Sequence, residues 1–309
     1  MTASTVRIGT RGSPLALAQA REVRARLIAA RPDLDEDTVT ITVIKTTGDR
    51  VLDRPLADIG GKGLFTKEIE DALLESSVDI AVHSMKDVPT WLPDGLTIAC
   101  LLPREDPRDA LIARDGLTFA DLPAGAVIGT ASLRRQAQVL ARRPDLKVVS
   151  LRGNVGTRLD KLAQGQVDAT MLALAGLRRL GKADVVTAIL DPSEMLPAVA
   201  QGAIGLECRA DDEATRELLA LINHAETETR VAAERALLAR LDGSCHTPIA
   251  GLAELAGDTL TLRGLIAKTD GSAIVDDVVS GPASEAAALG AELGEILLGC
   301  AGPGFLDGA

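Results

Sequence analysis

The chain repeats itself. Ile8-Gly9-Thr10 opens a segment that closes on Arg31-Pro32-Asp33-Leu34, and Ile128-Gly129-Thr130 opens another that closes on Arg143-Pro144-Asp145-Leu146. Each is followed by a glycine-rich stretch, a threonine-headed helical segment and a strand-like run that begins Val-Asp, at Val78-Asp79 and Val167-Asp168. Similarity in fixed order marks a duplicated supersecondary unit. Both copies alternate strand and helix, which predicts two related lobes built on parallel sheet.

Local signals place the elements. Residues 5–9 read as a strand, then Ser13 caps a helix with Pro14 at its first position, running to about Ala30 where Pro32 stops it. Residues 39–46 alternate as the next strand, and 47–65 form a long glycine-rich connection, expected to be a flap. Thr66 is expected to cap a helix to about Ser76, and strands follow from Val78 and over 96–102. Pro103-Arg104-Glu105-Asp106-Pro107-Arg108-Asp109 reads as a hinge crossing. The second copy predicts strands at 126–130, 147–150 and 167–174, with helices at 132–143 and, capped by Thr157, 157–165. Residues 176–181 read as a turn and 190–197 as irregular, and the strand at 203–208 is expected to return to the first sheet.

After Asp211 the pattern changes. Two helices (212–222, 226–241), the polar turn Asp242-Gly243-Ser244-Cys245-His246, three strands (248–255, 259–267, 273–279) and a closing helix (283–298) describe an α+β domain. The expected class is α/β, with two related lobes of the kind small-molecule-binding proteins use, a cleft between them, and a smaller α+β C-terminal domain. The expected boundaries are 1–102 with 203–220, 108–197, and 225–309.

Composition narrows the function. A net charge of −11 argues against duplex nucleic acid, and three Phe, one Trp and no Tyr leave too few stacking platforms for single strands. Cys100, Cys208, Cys245 and Cys300 lie far apart with no zinc-ligand spacing, so no metal is expected. The N-terminus lacks a signal-like apolar core and no stretch is long enough to span a bilayer, so a cytoplasmic, monomeric protein with reduced thiols is expected.

The central run Val78-Asp79-Ile80-Ala81-Val82-His83-Ser84-Met85-Lys86-Asp87-Val88-Pro89 starts apolar and ends polar. It reads as a buried strand delivering Ser84, Lys86 and Asp87 to its carboxyl end, the edge where open α/β sheets bind ligands. Asp87 beside Lys86 can move protons. His83 alternates to the opposite face and reads as a core residue. Several predicted helix starts carry cations where the helix dipole disfavours them by about 0.3–1 kcal/mol. They are Arg11, Lys67, Arg134, Arg135 and Arg158, and Arg152 and Arg179 lie in adjoining turns. Arginine forks beside free N–H groups suit a ligand rich in carboxylates or phosphates. No GxxxxGK[ST] and no strand-linked GxGxxG occurs, so a nucleotide cofactor is unsupported. Cys100 and Cys208 sit in strand-like runs and read as core, Cys300 lies at a helix end, and Cys245 sits in a turn from which a side chain can reach a cleft.

Together these stretches resemble the porphobilinogen deaminase family. The resemblance rests on Arg7-Ile8-Gly9-Thr10-Arg11-Gly12-Ser13-Pro14-Leu15-Ala16-Leu17, His83-Ser84-Met85-Lys86-Asp87-Val88-Pro89, Ser132-Leu133-Arg134-Arg135-Gln136 and Leu151-Arg152-Gly153-Asn154-Val155-Gly156-Thr157-Arg158, with Gln201-Gly202-Ala203 and the cysteine turn. It implies a three-domain enzyme that condenses four porphobilinogen molecules head to tail, releasing ammonia and then, with water, hydroxymethylbilane. It implies a dipyrromethane cofactor in thioether linkage to Cys245, with Asp87 as the catalytic acid. It also implies cofactor or substrate contacts from Ser84, Lys86, Thr130, Ser132, Arg134, Arg135 and Arg158, and from Arg11, Ser13, Arg152, Arg179 and Gln201. Three departures stand out: Ser244 replaces a glycine before the cysteine, Ala131 replaces a serine, and Ala200 replaces a glycine. The alternative from another class is a non-catalytic two-lobed anion-binding or sensor protein.

Overall fold

A computed structural model of the chain describes residues 5–50, 63, 65–243 and 247–306. Contacts divide it into two compact units, one of residues 1–105 with 203–228 and one of 106–202 with 229–309.

In the first unit, β1 (Val6–Thr10), helix α1 (Pro14–Ala30) and β2 (Val39–Val43) form a βαβ unit whose strands pair in parallel. Ser13 caps α1, its Oγ accepting from the Ala16 N–H at 3.2 Å. The apolar stripe Ala16, Ala20, Val23 and Leu27 faces the sheet at helical spacing. A single turn α2 (Thr47–Arg50) and helix α3 (Lys67–Leu74) lead to β3 (Ile80–Ser84), parallel to β1. Strand β4 (Leu96–Leu101) lies at the far edge of the sheet. As expected, late chain returns here: β10 (Ile204–Arg209) inserts antiparallel between β3 and β4, giving the order β2-β1-β3-β10-β4.

The second unit holds a sheet of the same plan, β7-β6-β8-β5-β9. Its strands are β5 (Asp109–Ala113), β6 (Val127–Gly129), β7 (Lys147–Val149), β8 (Ala169–Ala173) and β9 (Ala188–Ile189). Strands β7, β6 and β8 are parallel, and β5 takes the antiparallel place that β10 takes in the first sheet. Helices α4 (Leu133–Arg142), α5 (Val155–Ala163) and α6 (Leu174–Arg179) connect them.

The repeated motifs do the same jobs twice. Asp79 accepts from the Arg7 N–H and Asp168 from the Val127 N–H, both at 2.8 Å, so each Val-Asp pins the start of the central strand. Arg31 forks onto Asp33, and Arg143 onto Asp145. Gly9 and Gly129 lie where a Cβ would press on Val78 and on Leu151 and Val167, which explains the shared Ile-Gly-Thr.

Helices α7 (Glu213–Ala220) and α8 (Ala225–Arg240) precede an antiparallel meander of β11 (Ile249–Ala256), β12 (Thr259–Ala267) and β13 (Ile274–Pro282). Closing helix α9 (Ala286–Ala301) packs with α8 on this sheet around Leu237, Leu260, Leu262, Ile266, Leu293 and Leu297. This smaller sheet-and-helix domain is not isolated: Ala250, Leu252, Leu265 and Ala267 share a buried cluster with Ala137 and Leu196.

Four local expectations are corrected. Residues 103–109 end in β5 rather than remaining a crossing throughout, because the Asp109 carboxylate is neutralised from far along the chain. The segment read as a turn at 176–181 is the end of helix α6, with Gly176 buried inside it. Helix α5 is capped by Asn154, whose Oδ1 accepts from the Thr157 N–H at 2.9 Å, and Thr66 makes no side-chain cap on α3. Among the described residues no helix is long and apolar enough to cross a membrane. Of the connection read as a flap at 47–65, residues 51–62 and 64 lie outside the described residues, as do the turn residues 244–246.

Candidate active site

Strand β3 ends at Ser84 and passes into a tight turn, Met85–Asp87. The turn is held from inside: Met85 is buried, its N–H donates to the Ala203 carbonyl at 3.1 Å, and the Val88 N–H closes back on the Met85 carbonyl. Lys86 stays half-buried and Asp87 emerges into solvent. A pocket opens there, lined by Asp87, Ser84, Arg11, Ser13, Gln19 and Phe65 among others. Four of the expected site residues, contributed by β3, its turn and the start of α1, therefore meet in one place.

Their surroundings fix them. The Gln19 amide nitrogen donates to Ser84 Oγ at 2.8 Å. The Arg11 guanidinium stands 4.1 Å from the centre of the Phe65 ring, a cation–π contact that orients it at the pocket wall. His83 is buried, as expected, with Nε2 2.9 Å from Glu207 Oε2, yet it also lines the pocket. Gln19, Phe65 and Thr66 were not anticipated. Gln19 had a signal: it interrupts the apolar stripe of α1 between Ala16 and Val23.

The remaining expected residues belong to the second unit. Arg134 and Arg135, at the start of α4, are buried and both contact Asp109, each at 2.7 Å. Arg134 also donates to the Leu196 carbonyl and Arg135 to the Met171 carbonyl. Burial alone would raise the Asp109 carboxyl, but the two guanidinium groups, with hydrogen bonds from Arg135 and Gln201, hold it well below the usual carboxylate range. Gln201 is fully buried and donates to both Asp109 and the Pro107 carbonyl. Thr130 is buried, its Oγ1 accepting from the Ser132 N–H, and Ser132 caps α4. Arg158 donates to the Gly153 carbonyl at 2.8 Å, beside Arg152, and Arg179 donates to the Gly202 carbonyl at 2.9 Å.

Of the cations noted at helix starts, Lys67 is corrected: it is exposed and bonds Asp71 at 2.6 Å, an ordinary surface pair one turn along α3. The two arginines of α4 pair with an acid, as any arginine can, but a buried acid that the sequence did not mark. Cys245 lies outside the described residues. Cys100 and Cys208 are buried core residues, their thiols pushed up to about 12 and about 11, chiefly by burial. Among the described residues no cluster of His, Cys, Asp or Glu is arranged to hold a metal.

Comparison with known proteins assigns nearly the whole chain. Residues 6–217 match the family described as porphobilinogen deaminase, dipyromethane cofactor binding domain, and residues 228–299 match porphobilinogen deaminase, C-terminal domain. A porphobilinogen deaminase of Paracoccus denitrificans is 61% identical over 302 residues, 98% of this chain and 96% of the relative. Chloroplastic porphobilinogen deaminases of Oryza sativa and Pisum sativum are 56% and 55% identical, each over 98% of this chain and 86% and 83% of their own lengths. The chain belongs to the porphobilinogen deaminase family.

Proposed function

We propose that this chain is a hydroxymethylbilane synthase, joining four porphobilinogen molecules head to tail and releasing ammonia at each step. The observation that carries the reading is the convergence of Asp87, Ser84, Arg11 and Ser13 on one pocket at the carboxyl end of β3.

Each incoming pyrrole brings two carboxylates and an aminomethyl group. Arg11, oriented by Phe65, and the Ser13 hydroxyl hold a carboxylate, and the Ser84 hydroxyl, held by Gln19, hydrogen-bonds another polar atom of the substrate. Asp87 gives its proton to the departing amine. As a carboxylate it then faces the positive charge left on the substrate, and it takes up the ring proton released when the new carbon–carbon bond forms. The same group is thereby reset for the next unit. Arg152, Arg158 and Arg179 take the carboxylates of the lengthening chain, since each unit adds two negative charges.

Family membership implies a dipyrromethane cofactor, which supplies the terminal pyrrole carbon that is extended. The second unit suits such an anion: two buried guanidinium groups share one carboxylate, and Arg135 Nε is buried with no hydrogen-bond partner among the described residues. Thr130, Ser132, Arg134, Arg135 and Lys86 would hold it, Gln201 would orient Asp109 behind them, and Cys245 would tether it. We read the protein as a cytoplasmic monomer.

Intact mass of freshly purified protein is the test. An excess equal to two linked pyrrole units, absent in Cys245→Ser, is expected; the bare chain mass would instead favour an anion-binding protein without turnover. Asp87→Ala is expected to lose about a hundredfold or more in kcat, and full activity in that variant would remove Asp87 from the mechanism.

A further inference from the structure

His83, in the wall of the Asp87 pocket, belongs to a buried titratable cluster that the chemistry above does not use. His83 is 5% exposed and Glu207 is 0% exposed, with Nε2 and Oε2 2.9 Å apart. Glu207 Oε1 has no hydrogen-bond partner among the described residues, so His83 is the group that neutralises this carboxylate. A neutral imidazole beside an ionised buried carboxylate would leave that charge uncompensated, which burial penalises. The imidazole is therefore the group placed to offset that charge. Glu70 of α3 is buried against it, and its carboxyl is raised, first by burial and also by the charge of Glu207. The other charged groups facing this wall are Arg11 and Asp87, with Lys86 next to Asp87 in the turn.

The duplicated fold offers an internal control. Ala81 pairs with Glu207, and His83 with Gly205, across β3 and β10; Thr170 pairs with Ile112, and Leu172 with Ala110, across β8 and β5. The counterparts of His83 and Glu207 are thus Leu172 and Ile112. Counting back from the paired Val78 and Val167, the counterpart of Glu70 is Leu159. All three belong to one apolar cluster. In that copy the strand is followed by Leu174-Ala175-Gly176, the start of α6, where the first copy has Met85-Lys86-Asp87. The architecture accepts hydrocarbon at all three positions, and carries the imidazole and two carboxyls only where an aspartate follows.

We propose that His83 is a proton-bearing positioning residue for Asp87: Glu207 fixes its tautomer and charge, and the buried pair sets the field in which Asp87 gives up and regains its proton. This rests on the reading of Asp87 given above. His83→Gln keeps an N–H that reaches Glu207 but cannot carry the proton. With the cofactor mass complete and Tm unchanged, kcat is expected to fall by about fivefold or more while KM stays within about threefold. A smaller fall, or one matched by lost cofactor mass, overturns the proposal. The variant Glu70→Leu/His83→Leu/Glu207→Ile installs the second copy's residues. It is expected to fold with at least wild-type stability and to show the same loss of kcat; failure to fold, or wild-type kcat, overturns the proposal. Asp87→Ala is measured alongside. Full activity there defeats the reading of the site itself, whereas an essential Asp87 with an unaffected His83→Gln defeats this inference alone.

Discussion

The Gln19 side-chain amide donates to Ser84 Oγ at 2.8 Å, tying the middle of α1 to the last residue of β3. The Ser84 hydroxyl also lies 3.2 Å from Gln19 Oε1 as a donor, so both ends of the amide hold the hydroxyl at the pocket wall. Gln19→Leu preserves volume and removes this control. The expected outcome is a KM several-fold higher with a stability cost of about 1 kcal/mol. Ser84→Ala should raise KM similarly, and the double variant should be no worse than either single, since both act through one hydroxyl. Additive effects in a steady-state double-mutant cycle would show that the two side chains act separately.

Asp109 carries the charge balance of the second sheet. Its carboxylate lies 2.7 Å from both Arg134 and Arg135 and is fully buried. Asp109→Asn leaves two buried guanidinium groups without a counter-charge, and is expected to cost about 3–5 kcal/mol in chemical denaturation. The pH dependence has a definite sign. The folded-state carboxyl is depressed, so its stabilisation is complete above the ordinary value of about 3.9 and is lost only as pH falls through the lower folded value. The gap between wild type and Asp109→Asn should therefore persist from pH 7 to pH 5 and narrow below about pH 4.

That same aspartate shows where sequence reading stops. A strand beginning with a charged residue after two prolines looks like a crossing, and only partners some 25 positions further on, Arg134 and Arg135, make Asp109 a buried strand residue. Local chemistry was legible where it is self-contained. The Ser13 cap with Pro14, the βαβ pairing of β1 and β2, the return of β10 and the buried Cys100 and Cys208 all follow from neighbouring residues or from the repeat. Ser84 and Asp87, at the strand end, likewise reach the pocket, with Arg11 and Ser13 from the helix start. Gln19, Phe65 and Thr66 were not legible in the same way, since their places depend on how α1 and α3 lie on the sheet, and His83 is core and pocket wall at once.

Gly271 makes the turn between β12 and β13 touch α4. It has φ +73°, and a Cβ there would lie 2.4 Å from the Ala141 nitrogen and 2.8 Å from the Leu140 carbonyl carbon. Nearby, the Gln136 amide donates to the Thr269 carbonyl at 3.1 Å. Gly271→Ala meets backbone that cannot rotate away, in addition to a left-handed conformation that costs about 1–2 kcal/mol. A loss above about 2 kcal/mol is expected, read as a lower Tm. An unchanged Tm would mean that the turn does not bear on α4 in solution.

The thiols should separate by burial. Cys100 and Cys208 are buried, with thiols pushed up to about 12 and about 11, so neither forms appreciable thiolate at pH 8. Cys300 is exposed. Brief alkylation of the native protein followed by peptide mapping is expected to label Cys300 and spare Cys100 and Cys208 until denaturant is added. Labelling of either strand cysteine at the rate of Cys300 would show that its sheet opens readily.

Glu70 gives a stability change of opposite sign to that of Asp109. It is 5% exposed, and burial first, then the nearby Glu207 charge, raises its carboxyl, while Thr66 and His83 pull it down. A folded-state value above the unfolded one means that the folded form binds more protons. The protonated group's stabilisation is then fully present below the unfolded value of about 4.3 and is lost as pH rises through the folded value. Glu70→Gln imitates the protonated acid at every pH. The two proteins should have matching urea midpoints near pH 4, with Glu70→Gln the more stable at pH 8, the difference arising as pH rises from the unfolded value through the folded one. Parallel midpoints across that range would show that Glu70 titrates as a solvated carboxyl, and that the wall behind Asp87 is wetter than its burial indicates.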